Sequence, residues 1–219
     1  VLYNQDPGQR LMHHVNDPQQ NPAPKLVLGR SKPGNVWRFS SSLSQETIAK
    51  LEALLTQEPV TDDLSAYPVH WNEYQTILKD RGEIKIGHCG PSYLLPKQNA
   101  QSPENAVLVT AEKTALLQNG FEDWMGDTES CYPLVAVLAE NQAVSVCHSV
   151  RITDAADEAG IDTLEPYRGK GNAGQALLAW VNLVHGADKL AFYSTDWINA
   201  ASQRVAEKLS GKLFGSLYT

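Results

Sequence analysis

Leu164-Glu-Pro-Tyr-Arg168-Gly-Lys-Gly-Asn-Ala-Gly174 is the stretch whose reading decides the fold. The residues before it, Ala159–Leu164, read as a strand. The residues after it, Gly171–Val184, place Leu177, Val181 and Val184 on one face and read as a helix. Gly169, Gly171 and Gly174 let the backbone between them turn tightly with its N–H groups inward. A helix that starts there presents its unpaired amides and the positive end of its dipole to whatever occupies the turn. Arg168 and Lys170 add charge, and together these features make an anion site fit for a pyrophosphate.

The pattern narrows the ligand. A P-loop needs Gly-Lys followed by Ser or Thr, and Gly169-Lys170 is followed by Gly171. Gly169-Lys-Gly-Asn-Ala-Gly174 fits the dinucleotide pattern Gly-x-Gly-x-x-Gly literally. The acid at the appropriate distance, Asp188, precedes its strand instead of ending it. The same stretch resembles the acetyl-CoA signature of the GNAT superfamily of N-acetyltransferases, Gln/Arg-x-x-Gly-x-Gly/Ala, with Arg168, Gly171 and Ala173 in its three defined positions. Downstream, Tyr193–Leu209 resembles that superfamily's second motif, in which an Asn, here Asn199, opens the helix after the fifth strand. The two motifs stand in the superfamily's order with a strand between them.

The resemblance implies an α/β (α+β) fold: a mixed, mostly antiparallel sheet flanked by helices. It implies an acetyl-CoA-binding domain over residues 104–219, preceded by an N-terminal α/β extension over 1–103. It further implies an N-acyltransferase that moves an acetyl group from acetyl-CoA to a primary amine by direct attack in a ternary complex, without a metal. The backbone at Thr163 and Leu164 would pair with the pantetheine arm as an added strand. The amides of Arg168, Gly169, Lys170, Gly171, Asn172, Ala173 and Gly174 would hold the pyrophosphate, and Asn199 and Ser202 would reach the pantetheine or the thiol end. Glu158, at the head of the strand leading into the turn, is the candidate base, and His148 on the neighbouring strand is a second. Where a Tyr commonly serves as the acid this chain has Ala206, which leaves Ser202, Tyr193 or a water to protonate the leaving thiolate. The Gly expected before the last strand falls on Ser210. The alternative to an enzyme is a non-catalytic acyl-CoA-binding module on the same fold.

Outside the two motifs the chain alternates strands and helices. Lys25–Leu28 and Val36–Phe39 read as strands, and Ser44 caps a helix carrying Ile48, Leu51, Leu54 and Leu55 on one face. Residues 71–79 read as a second helix, Ile84 and Ile86 as part of a strand ended by Gly87-His-Cys-Gly-Pro, and Pro96–Pro103 as a linker. A short strand at 106–110 and a helix at 111–125 are expected. Leu134–Ala139 and Ala143–Val150 form a hairpin about the turn 140–142. Leu190–Tyr193, Asn199–Leu209 and Leu213–Tyr218 complete the alternation as strand, helix and strand.

Composition excludes several classes. The chain has 219 residues, of which 42% are hydrophobic and 20% charged, and this is a globular composition. Its net charge of −7, with no Lys/Arg stripe, argues against a nucleic-acid binder. No apolar run approaches the ~18 residues of a membrane span. Three widely spaced cysteines make no disulfide framework, and the opening Val1-Leu-Tyr has no signal-peptide pattern, so a cytoplasmic protein is expected. His13-His14 reads as a solvated pair. The N-terminal region is expected to complete the acceptor pocket, form a homodimer surface, or cover the sheet. The resemblance implies a small-molecule or peptide amine as acceptor. Charge is not evenly spread: Glu104–Glu165 holds twelve acids against Lys113 and Arg151, whereas Pro166–Thr219 holds six basic residues against three acids. The sign changes inside the proposed cofactor turn, which points to a cationic acceptor drawn to the acidic side.

Overall fold

The computed structural model describes residues 2–79 and 87–219, so the expected strand at Ile84 and Ile86 lies outside the described residues. In chain order the elements are β1 (Tyr3–Gln5), β2 (Leu11–His14), β3 (Leu26–Ser31), β4 (Gly34–Phe39), α1 (Gln45–Leu55), α2 (Trp71–Lys79), β5 (Cys89–Leu95), β6 (Ala106–Leu108), β7 (Leu134–Ala139), β8 (Gln142–Ile152), β9 (Ala156–Thr163), α3 (Asn172–Gly186), β10 (Leu190–Ser194), α4 (Ala200–Lys208) and β11 (Lys212–Tyr218). Strands β1 and β2 form a separate hairpin. The other nine build one sheet in the order β4-β3-β11-β5-β10-β9-β8-β7-β6. Every neighbouring pair is antiparallel except β9 and β10, which α3 joins as a parallel crossover.

The four α-helices share one face of the sheet. Cys89, Tyr93 and Leu95 alternate to the same side of β5. Cys89 packs with the α1–α2 cluster of Leu51, Leu55 and Tyr74, and the other two pack with the α3–α4 cluster around Trp180, Leu177 and Ala206. On β3, Leu28 faces α1 and α2, and Val27 faces the β1–β2 hairpin on the opposite side. That opposite face is also covered by the segment 109–131, through Leu117, Phe121 and Trp124. Ser44 caps α1 as expected, its hydroxyl accepting from Thr47 N–H at 3.2 Å. A buried polar chain pins α3 to the sheet. Trp180 Nε1 donates to Ser149 Oγ at 3.1 Å, Ser149 donates to Asp157 Oδ2 at 3.1 Å, and Lys189 Nζ donates to Asp157 Oδ1 at 3.0 Å.

Three local expectations are corrected. The helix expected at 111–125 is two short 3₁₀ turns, Ala111–Leu117 and Glu122–Trp124. Asn119 (φ 70°) and Gly120 (φ 128°) break it, and the Glu122 carboxylate accepts both of their N–H groups. Gly87-His-Cys-Gly-Pro is not only a terminating turn: β5 begins inside it at Cys89. Gly90 is needed there because a Cβ would lie 1.9 Å from Thr195 O, and the Pro91 carbonyl accepts from Thr195 N–H at 3.1 Å. The histidine pair is not simply solvated: His13 Nδ1 is bonded to Asn4 Nδ2 at 3.0 Å, and the His14 ring lies 5.0 Å from that of Tyr3. The sheet runs across the boundary at residues 103 and 104, since β5 lies between β10 and β11.

Candidate active site

The parallel pairing of β9 and β10 ends at Ala159 opposite Tyr193, and β9 continues to Thr163 paired only with β8. The two parallel strands therefore fork. On the β8 side, Leu164 N–H donates to Val144 O at 3.0 Å and Ser145 Oγ donates to Asp162 O at 3.0 Å. Antiparallel alternation then turns the N–H and C=O of Ile161 and Thr163 to the open edge. Thr163 thus faces the fork as expected, whereas Leu164 does not. Its amide is engaged, and its side chain packs in the cluster on the opposite face. Ile161, which sequence reasoning missed, takes its place. The missing signal was the register: without one fixed bond, period two cannot say which alternate residues are free.

At the end of β9 the chain makes a 3₁₀ turn, Glu165–Tyr167, and enters α3 through two left-handed glycines, Gly169 (φ 74°) and Gly171 (φ 88°). Asn172 Nδ2 donates to Tyr167 O at 3.0 Å and braces this loop, and Lys170 Nζ stacks 5.1 Å above the Tyr167 ring. Arg168 Nε donates to Thr163 O at 3.1 Å, folding the guanidinium back along the open edge. The helical ladder starts with Gln175 N–H donating to Gly171 O, so the amides of Asn172, Ala173 and Gly174 have no intrahelical partner. A Cβ at Gly169, Gly171 or Gly174 would meet no atom within 4 Å. The first two glycines serve the backbone angles, and the third leaves the space before the helix open.

Fork, turn, α3 and α4 enclose a cleft of about 680 Å³. Thr163, Arg168, Gly169, Gly171, Asn172, Ala173, Gly174, Asn199 and Ser202 all line it; Leu164, Lys170 and Glu158 do not. Asn199 caps α4, its Oδ1 accepting from Ser202 N–H at 3.1 Å. That cap orients α4 so that Arg204 and Lys208, one turn apart, join Arg168 around the cleft and give it a cationic rim. Ala206 is fully buried in the core beneath α4 and plays no part in the cleft. Tyr193 does: it is buried and lines the cleft beside Ser202, and burial pushes its pKa up to about 12 against a smaller lowering by Ser202. It is a protonated donor at neutral pH.

Glu158 and His148 lie on the other side of the sheet. Asp157 and Ala159 face α3, so Glu158 points away from it, paired in register with Phe192 on β10 and Arg151 on β8. His148 stands opposite Gly160, the first β9 residue beyond the fork. A Cβ on Gly160 would lie 3.0 Å from His148 Cε1 and 2.4 Å from Val150 Cγ1, so the glycine lets the imidazole lie against β9. His148 packs at 5.1 Å on the Trp124 ring, and burial lowers its pKa to about 4. The thiols of Cys89 and Cys131 are pushed up to about 11 by burial, so neither is a thiolate nucleophile.

No profile of a known protein family matches the sequence, and no curated protein matches it. Solved structures do match. A GCN5-related N-acetyltransferase-like protein from Streptococcus suis superposes with a TM-score of 0.52 at 14% identity, over 94% of this chain and 87% of that one. The chain has the GNAT fold. A GNAT-family protein from Novosphingobium aromaticivorans matches with a TM-score of 0.47 at 14% identity over 61% of this chain, and a GCN5-related N-acetyltransferase from Kribbella flavida with 0.47 at 17% over 65%. The matched region spans 65% and 61% of the length of those two proteins, under two thirds of each. Within this GNAT fold Arg168 and Gly171 of the first signature sit on the turn between β9 and α3, and Ala173 sits in the first turn of α3.

Proposed function

We propose that the chain is an acetyl-CoA-dependent N-acyltransferase acting on a primary amine. One observation carries this reading: the open edge of β9 and the unpaired amides of α3 line a single cleft with a cationic rim. The N–H and C=O of Ile161 and the N–H of Thr163 suit the amides of a pantetheine arm laid along them as an added strand, while the Thr163 carbonyl is held by Arg168 Nε. The amides of Asn172, Ala173 and Gly174, with Arg168, Arg204 and Lys208, suit a pyrophosphate and a further phosphate. The thioester supplies an activated acyl carbon at the fork.

In this reading Glu158 takes a proton from the ammonium of the acceptor, directly or through a water. The amine nitrogen then bonds to the acyl carbon and releases its second proton to water as the C–S bond breaks. Tyr193, beside Ser202 in the cleft, gives a proton to the thiolate and is reprotonated from solvent. This gives the acid role to a residue on β10, so Ala206 is no obstacle to turnover. Calorimetric titration with acetyl-CoA tests the cofactor site: saturable binding is expected, and Gly171→Glu abolishes it by placing a carboxylate where the phosphates lie. A panel of amines, followed by CoA release, separates an enzyme from a pure binder. Binding without release with any amine would make the chain a sensor; no binding at millimolar acetyl-CoA would overturn both readings.

A further inference from the structure

A second cleft, of about 550 Å³, opens on the face of the sheet opposite α3. Its walls are the end of β2 and the segment after it, residues 14–21, and the segment 123–131, and its floor is β8 from His148 to Arg151. Asn16 ties these parts together. Its Oδ1 accepts from Ile152 N–H at 2.8 Å on β8, and its Nδ2 donates to Ser130 O at 2.8 Å on the far wall. The cleft is therefore built by the N-terminal segment against the sheet, and its shape is held by bonds between parts of the chain over a hundred residues apart.

Its chemistry is that of a site for an organic cation. Asp17, Asp123 and Asp127 line it against the single guanidinium of Arg151, so it carries a net negative charge. Asp123 makes no hydrogen bond or ion pair among the described residues. Asp17 is held by Gln19 N–H and Asn21 N–H at 3.0 and 2.9 Å. Among the described residues no group of three or more His, Cys, Asp or Glu side chains is placed to hold a metal ion. The carboxylates are spread around the cleft instead of converging on one point. That spacing suits an ammonium with an alkyl chain behind it. Trp124 and His148 supply apolar and aromatic surface for such a chain and its charge. His148 is only 8% exposed, lines the cleft, and its Nδ1 has no hydrogen-bond partner. A buried polar atom left unpaired beside a cavity is a position a ligand can satisfy.

The cleft also abuts the proposed reaction line. His148 is the register partner of Gly160, where β9 leaves β10, and adjacent strands are only ~4.8 Å apart. The His148 imidazole and a Val150 methyl lie over Gly160 and form the partition between the cleft floor and the fork. We propose that this cleft binds the distal ammonium of an α,ω-diamine, whose other nitrogen reaches past Gly160 to the thioester. The choice of reacting nitrogen rests on the acyl-transfer reading; the binding of a dication by the cleft does not.

The experiment follows from that separation. The protein without acetyl-CoA is titrated calorimetrically with 1,6-diaminohexane and with hexylamine, and Asp123→Asn/Asp127→Asn is treated in the same way. Both aspartates are exposed, and Asn keeps the oxygen that accepts from Ser130 N–H, so the variant retains its fold. The diamine is expected to bind about tenfold more tightly than the monoamine. The double variant should bind both amines more weakly, the diamine by about tenfold or more. The preference should also shrink between low salt and 0.5 M salt, as the carboxylates are screened. Equal affinity for the two amines, or a diamine affinity unchanged in the double variant, overturns the proposal. Acetyl-CoA is titrated separately: failure there removes the acyl-transfer reading alone, and diamine binding still decides the cleft.

Discussion

Gly174→Ala should make the protein more stable and a poorer acetyl-CoA binder at once. Gly174 is the third residue of α3, has no positive φ, and an added Cβ would meet nothing within 4 Å. Alanine therefore fits the folded chain without strain, and it restricts the unfolded chain, which is worth about 0.5–1 kcal/mol. For a chain of this size that raises Tm by roughly 1–4 °C. In an α-helix every Cα–Cβ bond tilts toward the N-terminus, so the new methyl projects into the space before the first turn. If the pyrophosphate lies against these amides, the methyl holds it away, and Kd should rise at least ~10-fold, about 1.4 kcal/mol. Differential scanning calorimetry reads the first quantity and isothermal titration with acetyl-CoA the second. Gly186→Ala, at the other end of α3 and equally unobstructed, is the control: it should raise Tm and leave Kd alone. A Gly174→Ala protein that is stabilised yet binds acetyl-CoA as the parent does would refute the placement of the phosphates at this helix. A fall in Tm would refute the account of the backbone.

Other outcomes follow from the same geometry. Glu158→Gln should lower kcat by ~100-fold or more, with acetyl-CoA affinity unchanged, because the side chain lies outside the cofactor cleft; single-turnover kinetics with a saturating amine would check this. Tyr193→Phe should lower kcat and remove any limb of the pH–rate profile set by a proton donor, whereas Tyr193→Phe with full kcat would return the acid role to Ser202 or water. His148, neutral when folded down to about pH 4, is refused a proton that the unfolded chain accepts from about pH 6.5 downward. Stability should therefore fall as pH drops through that window, by up to about 3 kcal/mol at pH 4, and His148→Phe should flatten the Tm-against-pH curve there. Glu58→Ala should cost about 3–5 kcal/mol in denaturant unfolding, since it strands the buried Arg30 guanidinium and the donors Val69 N–H and Tyr74 Oη, all three of which point at the Glu58 carboxylate.

The charge asymmetry of the chain divides once the fold is known. On the basic side, Arg168, Arg204 and Lys208 line the cleft beside α3, but Lys189 is spent on the partly buried pair with Asp157. On the acidic side, Asp123 and Asp127 line the second cleft, Asp157 holds α3 to the sheet, and Asp162 lies in the cleft beside α3 among the cations. The run of acids is thus several separate features that are adjacent only in sequence.

By itself the sequence determined the turn, the caps and the helices around them. Glycines at 169 and 171, Ser44, Asn199 and the apolar periodicity of α1 and α3 act over one or two turns of chain, and such local geometry needs no partner. Only the tertiary structure decided which edge of β9 is free, because that depends on where β8 and β10 start and stop pairing. It placed β5 between β10 and β11, about a hundred residues away in sequence, across a Gly-Pro pair that locally reads as a break. It made Ile161 and Tyr193 cleft residues and turned Leu164 out. It also folded the N-terminal hairpin and the segment after it against β8, where Asn16 closes a second cleft. Hydrogen-bond register and long-range contact carry no signature within a short window, so the chemistry at the helix start could be read from the residues, and the chemistry on the far face could not.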